Sequence, residues 1–216
     1  MFSLIQAAGW PVWFLILASV VAVALIVERS LSLKRSRVVP PRLLDDVLAM
    51  HRAQQITPDM IQKLEGSAPL GRIFAAGLRH EFAPREVIKQ AMEETGRAAA
   101  HELEKYLSAL GTVASMAPLM GLFGTVVGMI EIFGAQAPAG TNPQQLAHGI
   151  SVALYNTAFG LIIAIPAMIA YRHFRARVDG LLIEMEQQSI RLLDAIRIHH
   201  EQARAARAEA AGKPRA

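Results

Sequence analysis

YLSALGTVASMAPLMGLFGTVVGMI, residues 106–130, runs for 25 positions without a charged side chain, and its reading decides the architecture. A helix rises about 1.5 Å per residue, so this stretch is long enough to cross a hydrocarbon layer of roughly 30 Å. Outward from it the pattern repeats. Residues 132–171 hold only His148 and Tyr155 as titratable side chains before Tyr171, and residues 1–27 carry no charge. Three spans follow, over 12–27, 106–133 and 147–171. Trp10 and Trp13 stand at the head of the first as interfacial anchors. No basic residue precedes that apolar run and no small-residue cleavage site precedes Glu28, so a cleaved leader is not expected. The connector from Ala135 to Gln145 is rich in Pro, Gly, Asn and Gln, which is turn chemistry, and the turn is assigned to 134–146. Glu131 closes the second span.

The 216 residues are 53% hydrophobic, with a mean hydropathy of +0.31, which places the chain among integral membrane proteins. The 22 Lys and Arg residues fall in two regions only, 29–105 and 172–215. Basic residues flanking membrane spans stay on the cytoplasmic side. Both regions are therefore expected in the cytoplasm, with residues 1–11 and the 134–146 turn in the periplasm, a parity that three spans satisfy. The same rule accounts for the pI near 9.8 without invoking nucleic acid. There is no cysteine, which excludes disulfides, thiolate metal sites and a cysteine nucleophile.

Residues 28–105 are too many for a connector. Leu43, Leu44, Val47 and Leu48, and again Val87, Ile88, Ala91 and Met92, show the apolar spacing of amphipathic helices, with Pro58, Pro69 and Pro84 as punctuation. After Pro84 the pattern predicts one long helix running into the second span. The third span is expected to continue through 172–216, with an apolar stripe of Leu181, Leu182, Met185, Ile190, Leu193 and Ile196 and a frayed end.

Spans two and three place small and hydroxylated residues where a lipid-facing helix would carry bulk. Gly111, Ser115, Pro118, Leu122 and Thr125 recur at three- and four-residue steps, and Gly121, Gly124 and Gly128 add further small positions. Ala153, Thr157, Gly160 and Ala164 do the same in span three. Two readings stay open: close helix packing, or a polar pathway or partner-facing surface lined by Thr125 and Thr157. Asn156 needs partners for its amide and favours an interior place. Pro118 and Pro166 are read as shape determinants that kink their helices. No Asp, Glu, Lys or Arg lies deep in any span, so a group that titrates is absent or comes from another polypeptide. Glu131 and His148 are read as solvated, interfacial side chains. The seven histidines show no zinc-type spacing, and no phosphate loop, nucleophile elbow or paired carboxylates occur, so neither an enzyme nor a metal or cofactor is expected.

The run Ala117-Pro118-Leu119-Met120-Gly121-Leu122-Phe123-Gly124-Thr125-Val126-Val127-Gly128, with Gly149-Ile150-Ser151-Val152-Ala153-Leu154, Thr157-Ala158-Phe159-Gly160-Leu161 and Ala164-Ile165-Pro166-Ala167, resembles the MotA/TolQ/ExbB proton-channel family, nearest its ExbB branch. Ser67-Ala68-Pro69-Leu70-Gly71-Arg72 and the span order also match. The resemblance implies a ring-forming homo-oligomer, a homo-pentamer in the bacterial inner membrane. Its second and third spans surround two single-span ExbD-like helices, each bringing the aspartate that carries the proton. Thr125 and Thr157 match the family's pore threonines, and Ser115 and Asn156 join them as candidate pore-lining residues. Gly121, Gly124, Gly128, Gly160, Pro118 and Pro166 are the candidates for helix packing. The implied mechanism is rotation of the inner dimer, with work delivered through a TonB-like protein to outer-membrane transporters. A TolQ- or MotA-like stator and a non-conducting scaffold are the rival readings. One position departs: Val152 stands where many ExbB and TolQ members carry glutamate. Asn156 lies one turn further along that face.

Overall fold

A computed structural model describes residues 9–134 and 143–212, apart from the side chains at 145, 146, 148, 152 and 199–212. Every regular element among the described residues is an α-helix. They are α1 (Pro11–Ser32), α2 (Arg35–Val38), α3 (Leu43–Arg52), α4 (Pro58–Glu65), α5 (Pro69–Arg79), α6 (Arg85–Glu104), α7 (Leu107–Gly134) and α8 (Pro143–Gly212). Three helices are long and apolar enough to cross a membrane, and only 22% to 29% of their apolar stretches is buried inside the chain. Most of that surface is left for lipid or for other chains.

The chain divides into two compact units, one built from residues up to 31 with 105–176, the other from 32–104 with 177 onward. In the first, α1 buries a narrow stripe, Val12, Leu15, Ala22 and Arg29, while Trp13, Phe14, Leu17 and Val20 are exposed. Leu15 packs with Ala117 and Ala164, beside Met120, Phe159 and Ile163. The buried seam of α7 is Leu107, Leu110, Ala114, Ala117, Gly121 and Gly124, alternating steps of three and four. Its counterpart on α8 is Ala153, Asn156, Gly160, Ala164 and Ala167. As the residue number rises on α7 it falls one for one on α8, from Gly111 beside Tyr171 to Gly128 beside Ala153, so the two helices are antiparallel in one register.

Three expectations change here. The long helix expected after Pro84 is broken: α6 ends at Glu104, α7 starts at Leu107, and Tyr106 takes a left-handed φ of 68°. No Gly or Pro marks the break. A left-handed residue costs about 1–2 kcal/mol. The Tyr106 ring lies 5.2 Å from the Arg29 guanidinium and 5.0 Å from the Lys105 ammonium, contacts of about 0.5–2 kcal/mol each that offset the cost. The turn assigned to 134–146 is shorter at both ends, because Gly134 still belongs to α7 and Pro143 opens α8, where its missing N–H is no loss; residues 135–142 lie outside the described residues. Pro118 and Pro166 lie inside α7 and α8, and Pro166 is exposed, two residues past Ala164. The stripe on the later part of α8 is Val178, Leu181, Met185, Leu192, Leu193 and Ile196, whereas Ile190 is 49% exposed. A full turn separates Ile190 from neither neighbour in that stripe, so the helix carries it off the buried side.

In the second unit, Pro58 and Pro69 start α4 and α5, and the Thr57 hydroxyl accepts from the Met60 N–H at 3.4 Å. Helix α5 buries Leu70, Ile73, Phe74, Ala75 and Leu78. In α3 Leu44 and Val47 are buried, and in α6 Ile88 and Met92, while Val87 is 43% exposed. The Ser67–Arg72 segment has a steric reason for its glycine: a Cβ at Gly71 would stand 2.1 Å from the Ser67 hydroxyl, which donates to Leu64 O at 2.7 Å. Ion pairs tie helix to helix, Arg72 to Glu102 at 2.6 Å, Arg79 to Glu65 at 2.7 Å and Arg35 to Glu184. The Arg35 hydrogen bond holds the Glu184 carboxyl below its ordinary value. Arg177 Nε donates to Leu33 O at 2.8 Å.

Candidate functional site

From Ala114 to Gly128 the seam of α7 on α8 is made mostly of residues with little or no side chain, and that decides how near the helices come there. A Cβ at Gly121 would lie 2.7 Å from Asn156 O and 3.1 Å from Thr157 Cα; one at Gly160 would lie 2.6 Å from Ala117 O. Real Cβ atoms do not come so close, so Gly121 and Gly160 face each other backbone to backbone. Gly124 has a different task. Its missing Cβ would stand 2.9 Å from Asn156 Cγ and 3.0 Å from Nδ2, so the glycine makes room for a side chain. Asn156 is 1% exposed. Gly128 abuts Ala153, whose Cβ would lie 3.3 Å from an added one.

This close approach brings two hydroxyls together. Thr125 Oγ1 lies 2.6 Å from Thr157 Oγ1, 3.1 Å from Ala153 O and 3.2 Å from Gly121 O. A hydroxyl has one proton to give and two lone pairs. When Thr125 donates to either carbonyl, Thr157 must donate to Thr125. The Thr157 oxygen then keeps its own lone pairs for a further donor. The pair is half-buried, neutral and polar at membrane depth. It can hydrogen-bond a protonated carboxyl or a hydrated cation; a threonine hydroxyl does not titrate in the physiological range and cannot itself carry a proton away.

Thr125, Thr157 and Asn156 thus come together, and Ser115 does not. Ser115 is exposed and donates back to its own helix, to Gly111 O at 3.1 Å or Thr112 O at 3.0 Å. It stands ten residues before Thr125 on α7, about 15 Å along the axis. Leu122 is exposed as well, so the recurring positions 111, 115, 118, 122 and 125 flank the buried seam one residue over. Glu131 is exposed on α7, while the side chains of His148 and Val152 lie outside the described residues. The carbonyls of Gly121 and Ala153 are part of the site and were invisible in the sequence. Every residue has a carbonyl, and only the helix register selects these two.

A family model described as the MotA/TolQ/ExbB proton channel family matches residues 65–187. The chain is 30% identical over 189 residues to a biopolymer transport protein of the ExbB-like type, number 3, of Synechocystis, covering 85% of this chain and 89% of the relative. It is 32% identical over 180 residues to the Tol-Pal system protein TolQ of Haemophilus influenzae, covering 77% and 78%. The biopolymer transport protein exbB1 of Vibrio cholerae is 29% identical over 188 residues, 84% of this chain and 82% of its own.

Proposed function

The chain belongs to the MotA/TolQ/ExbB proton channel family, and from that premise we propose that it is an ExbB-like stator subunit, coupling an ion gradient across the bacterial inner membrane to work delivered through a TonB-like protein at the outer membrane. The observation that carries the proposal is the Thr125–Thr157 hydroxyl pair, set between two membrane-capable helices that hold no carboxylate or cation of their own at that depth. Such a pair completes an ion path only when another polypeptide brings the group that titrates. An ExbD-like single-span subunit with an aspartate in its helix, two copies inside a ring of five of these chains, supplies it. Thr125 and Thr157 then hydrogen-bond that carboxyl in its protonated form, Asn156 adds polarity where Val152 replaces glutamate, and Ser115 lines the path further along. The periplasmic N-terminus and cytoplasmic C-terminus follow from the basic residues.

A TolQ-like role in envelope maintenance is the second reading, because the TolQ relative at 32% identity stands as near as the ExbB relatives. Deletion separates them. Loss of transport through outer-membrane receptors marks the ExbB role, and envelope leakage with transport intact marks the TolQ role.

The test of the ion path is flux into liposomes holding this chain with its single-span partner. Changing the partner aspartate to asparagine should abolish flux. Thr157→Val, which keeps the volume and removes the hydroxyl, should cut it about two- to tenfold, since a hydrogen bond between neutral groups is worth about 0.5–1.5 kcal/mol. Undiminished flux from the Thr157→Val complex would remove the threonines from the path, and no flux from a stably assembled wild-type complex would favour a non-conducting scaffold. Varying pH and sodium names the ion.

A further inference from the structure

Residues 29–44 carry five basic side chains, Arg29, Lys34, Arg35, Arg37 and Arg42, and no acidic one. They begin within the last turn of α1 and continue directly past it. The structure sorts these charges. Arg29 is buried, donating to Glu28 Oε1 at 2.7 Å. Arg35 is engaged by Glu184 at 2.9 Å through Nε. Lys34, Arg37 and Arg42 are exposed, and among the described residues no ion pair involves them.

The segment that presents them is anchored. Leu33 is 1% exposed, Val38 2% and Val39 1%, so the chain on both sides of the short α2 is pinned into the second unit. Arg177 adds its hydrogen bond to Leu33 O at 2.8 Å. Lys34 and Arg37, three residues apart across α2, share a side of one helical turn, while Val38 turns inward. Lys34 follows the end of α1 at Ser32 by two residues and Arg37 by five, which the chain can span in no more than about 7 and 18 Å. Their reach ends within or beside the headgroup layer of any bilayer that α1 crosses.

We infer that the turn after α1, with Lys34 and Arg37 at its centre, is a docking surface for anionic phospholipid headgroups in the leaflet where α1 ends. Charge complementarity carries the inference: two outward cations fixed by a buried apolar frame, with no carboxylate between Glu28 and Asp45 to compete. Arg42 contributes less, because Asp45 and Asp46 in the first turn of α3 follow it closely. The inference rests on α1 being a membrane span, but not on ion conduction.

The full chain, purified in a neutral detergent without its partner subunit, is titrated with dioleoyl phosphatidylglycerol and separately with the phosphatidylcholine of the same tails, with bound lipid counted by native mass spectrometry. A basic residue near an anionic surface contributes roughly fivefold in affinity. The wild type should prefer phosphatidylglycerol, the preference should shrink from 50 to 500 mM salt, and the double variant Lys34→Gln/Arg37→Gln should lose about fivefold or more of it. Arg42→Gln should lose less. The double variant Lys63→Gln/Lys89→Gln, with the same change in net charge elsewhere, should keep the preference, and inorganic phosphate should displace no lipid. Equal binding of the two lipids, an unchanged Lys34/Arg37 variant, or an equal loss in the Lys63/Lys89 variant would each overturn the proposal. Phosphatidylcholine binding reports intact spans, and a failed flux assay with the partner leaves the result standing.

Discussion

The α7–α8 seam and the α5–α6 contact join helices by opposite means. Between α7 and α8, from Ala114 to Gly128, the side chains are mostly Gly, Ala, Thr and Asn, and backbone nearly touches backbone. Around α5 the buried residues are Leu, Ile, Phe and Met, and ion pairs such as Arg72–Glu102 close the edges. Solvent explains the difference. In water, burying a large apolar side chain is worth about 1.5–3 kcal/mol, so bulk holds helices together. In lipid the tails are as apolar as leucine, and helices gain only from close packing and hydrogen bonds, which favour small residues. The large side chains of α7 and α8, Leu119, Leu122, Phe123, Ile162 and Ile169 among them, accordingly point outward.

The comparison breaks most readily at its two extremes. Phe74→Ala, at a site with 0% exposure, should cost about 3–5 kcal/mol, read as a lower denaturant midpoint for loss of helicity in the detergent-solubilised chain. The same residue type at an outward site of the first unit, Phe123→Ala, with 46% exposed, should leave that midpoint nearly unmoved. Next in size is Gly160→Ala, whose new Cβ would meet the Ala117 carbonyl at 2.6 Å, a backbone atom that cannot swing aside. We expect about 1–3 kcal/mol of destabilisation and failure to assemble with the partner on native gels. Gly77→Ala sharpens the contrast, because its Cβ would meet Met92 Sδ at 2.8 Å, the flexible part of a side chain that can move. That cost should stay below about 1 kcal/mol by the same denaturation assay, and a Gly77 effect as large as that of Gly160 would refute the distinction drawn between the two interfaces.

The smallest effect belongs to the edge pairs. Arg35 depresses the Glu184 carboxyl, so the stabilisation it brings is present above the ordinary carboxylate value of 4.5 and is lost as pH falls through the lowered folded value. Both side chains are partly in solvent, so little is at stake. Thermal melts of Glu184→Gln and the wild type should differ slightly at pH 7 and converge toward pH 3, and a difference that grows on acidification would contradict the assigned sign.

Spacing picked out the positions of Thr125 and Thr157 but left close packing and a polar pathway both open, and the pore role came from the family resemblance. Thr125 and Thr157 sit among small residues at helical steps, Gly121 and Gly128 beside the one, Ala153 and Gly160 beside the other. That Asn156 lies over Gly124 could not be read, because Gly124 and Gly128 form a GxxxG pair whose ordinary meaning is backbone approach. The true backbone contact is Gly121 with Gly160. Ser115 shares the rhythm of Thr125 and yet bonds to its own helix, since a hydroxyl on an α-helix always has the carbonyl four residues back within reach.

From the sequence alone came three stretches apolar enough to span a membrane, the positions of the basic residues, and a motif run that carries the family. These are local properties: hydrophobic length, charge and side-chain size are written one residue at a time. The tertiary structure alone decided the register of α7 on α8, hence which carbonyls join the threonines. It also decided the break at Tyr106 and which cations after α1 remain turned outward. Each of those depends on a partner far along the chain, Ala153 for Thr125, Arg29 for Tyr106 and Glu184 for Arg35, and a contact between distant residues has no signature in either neighbourhood.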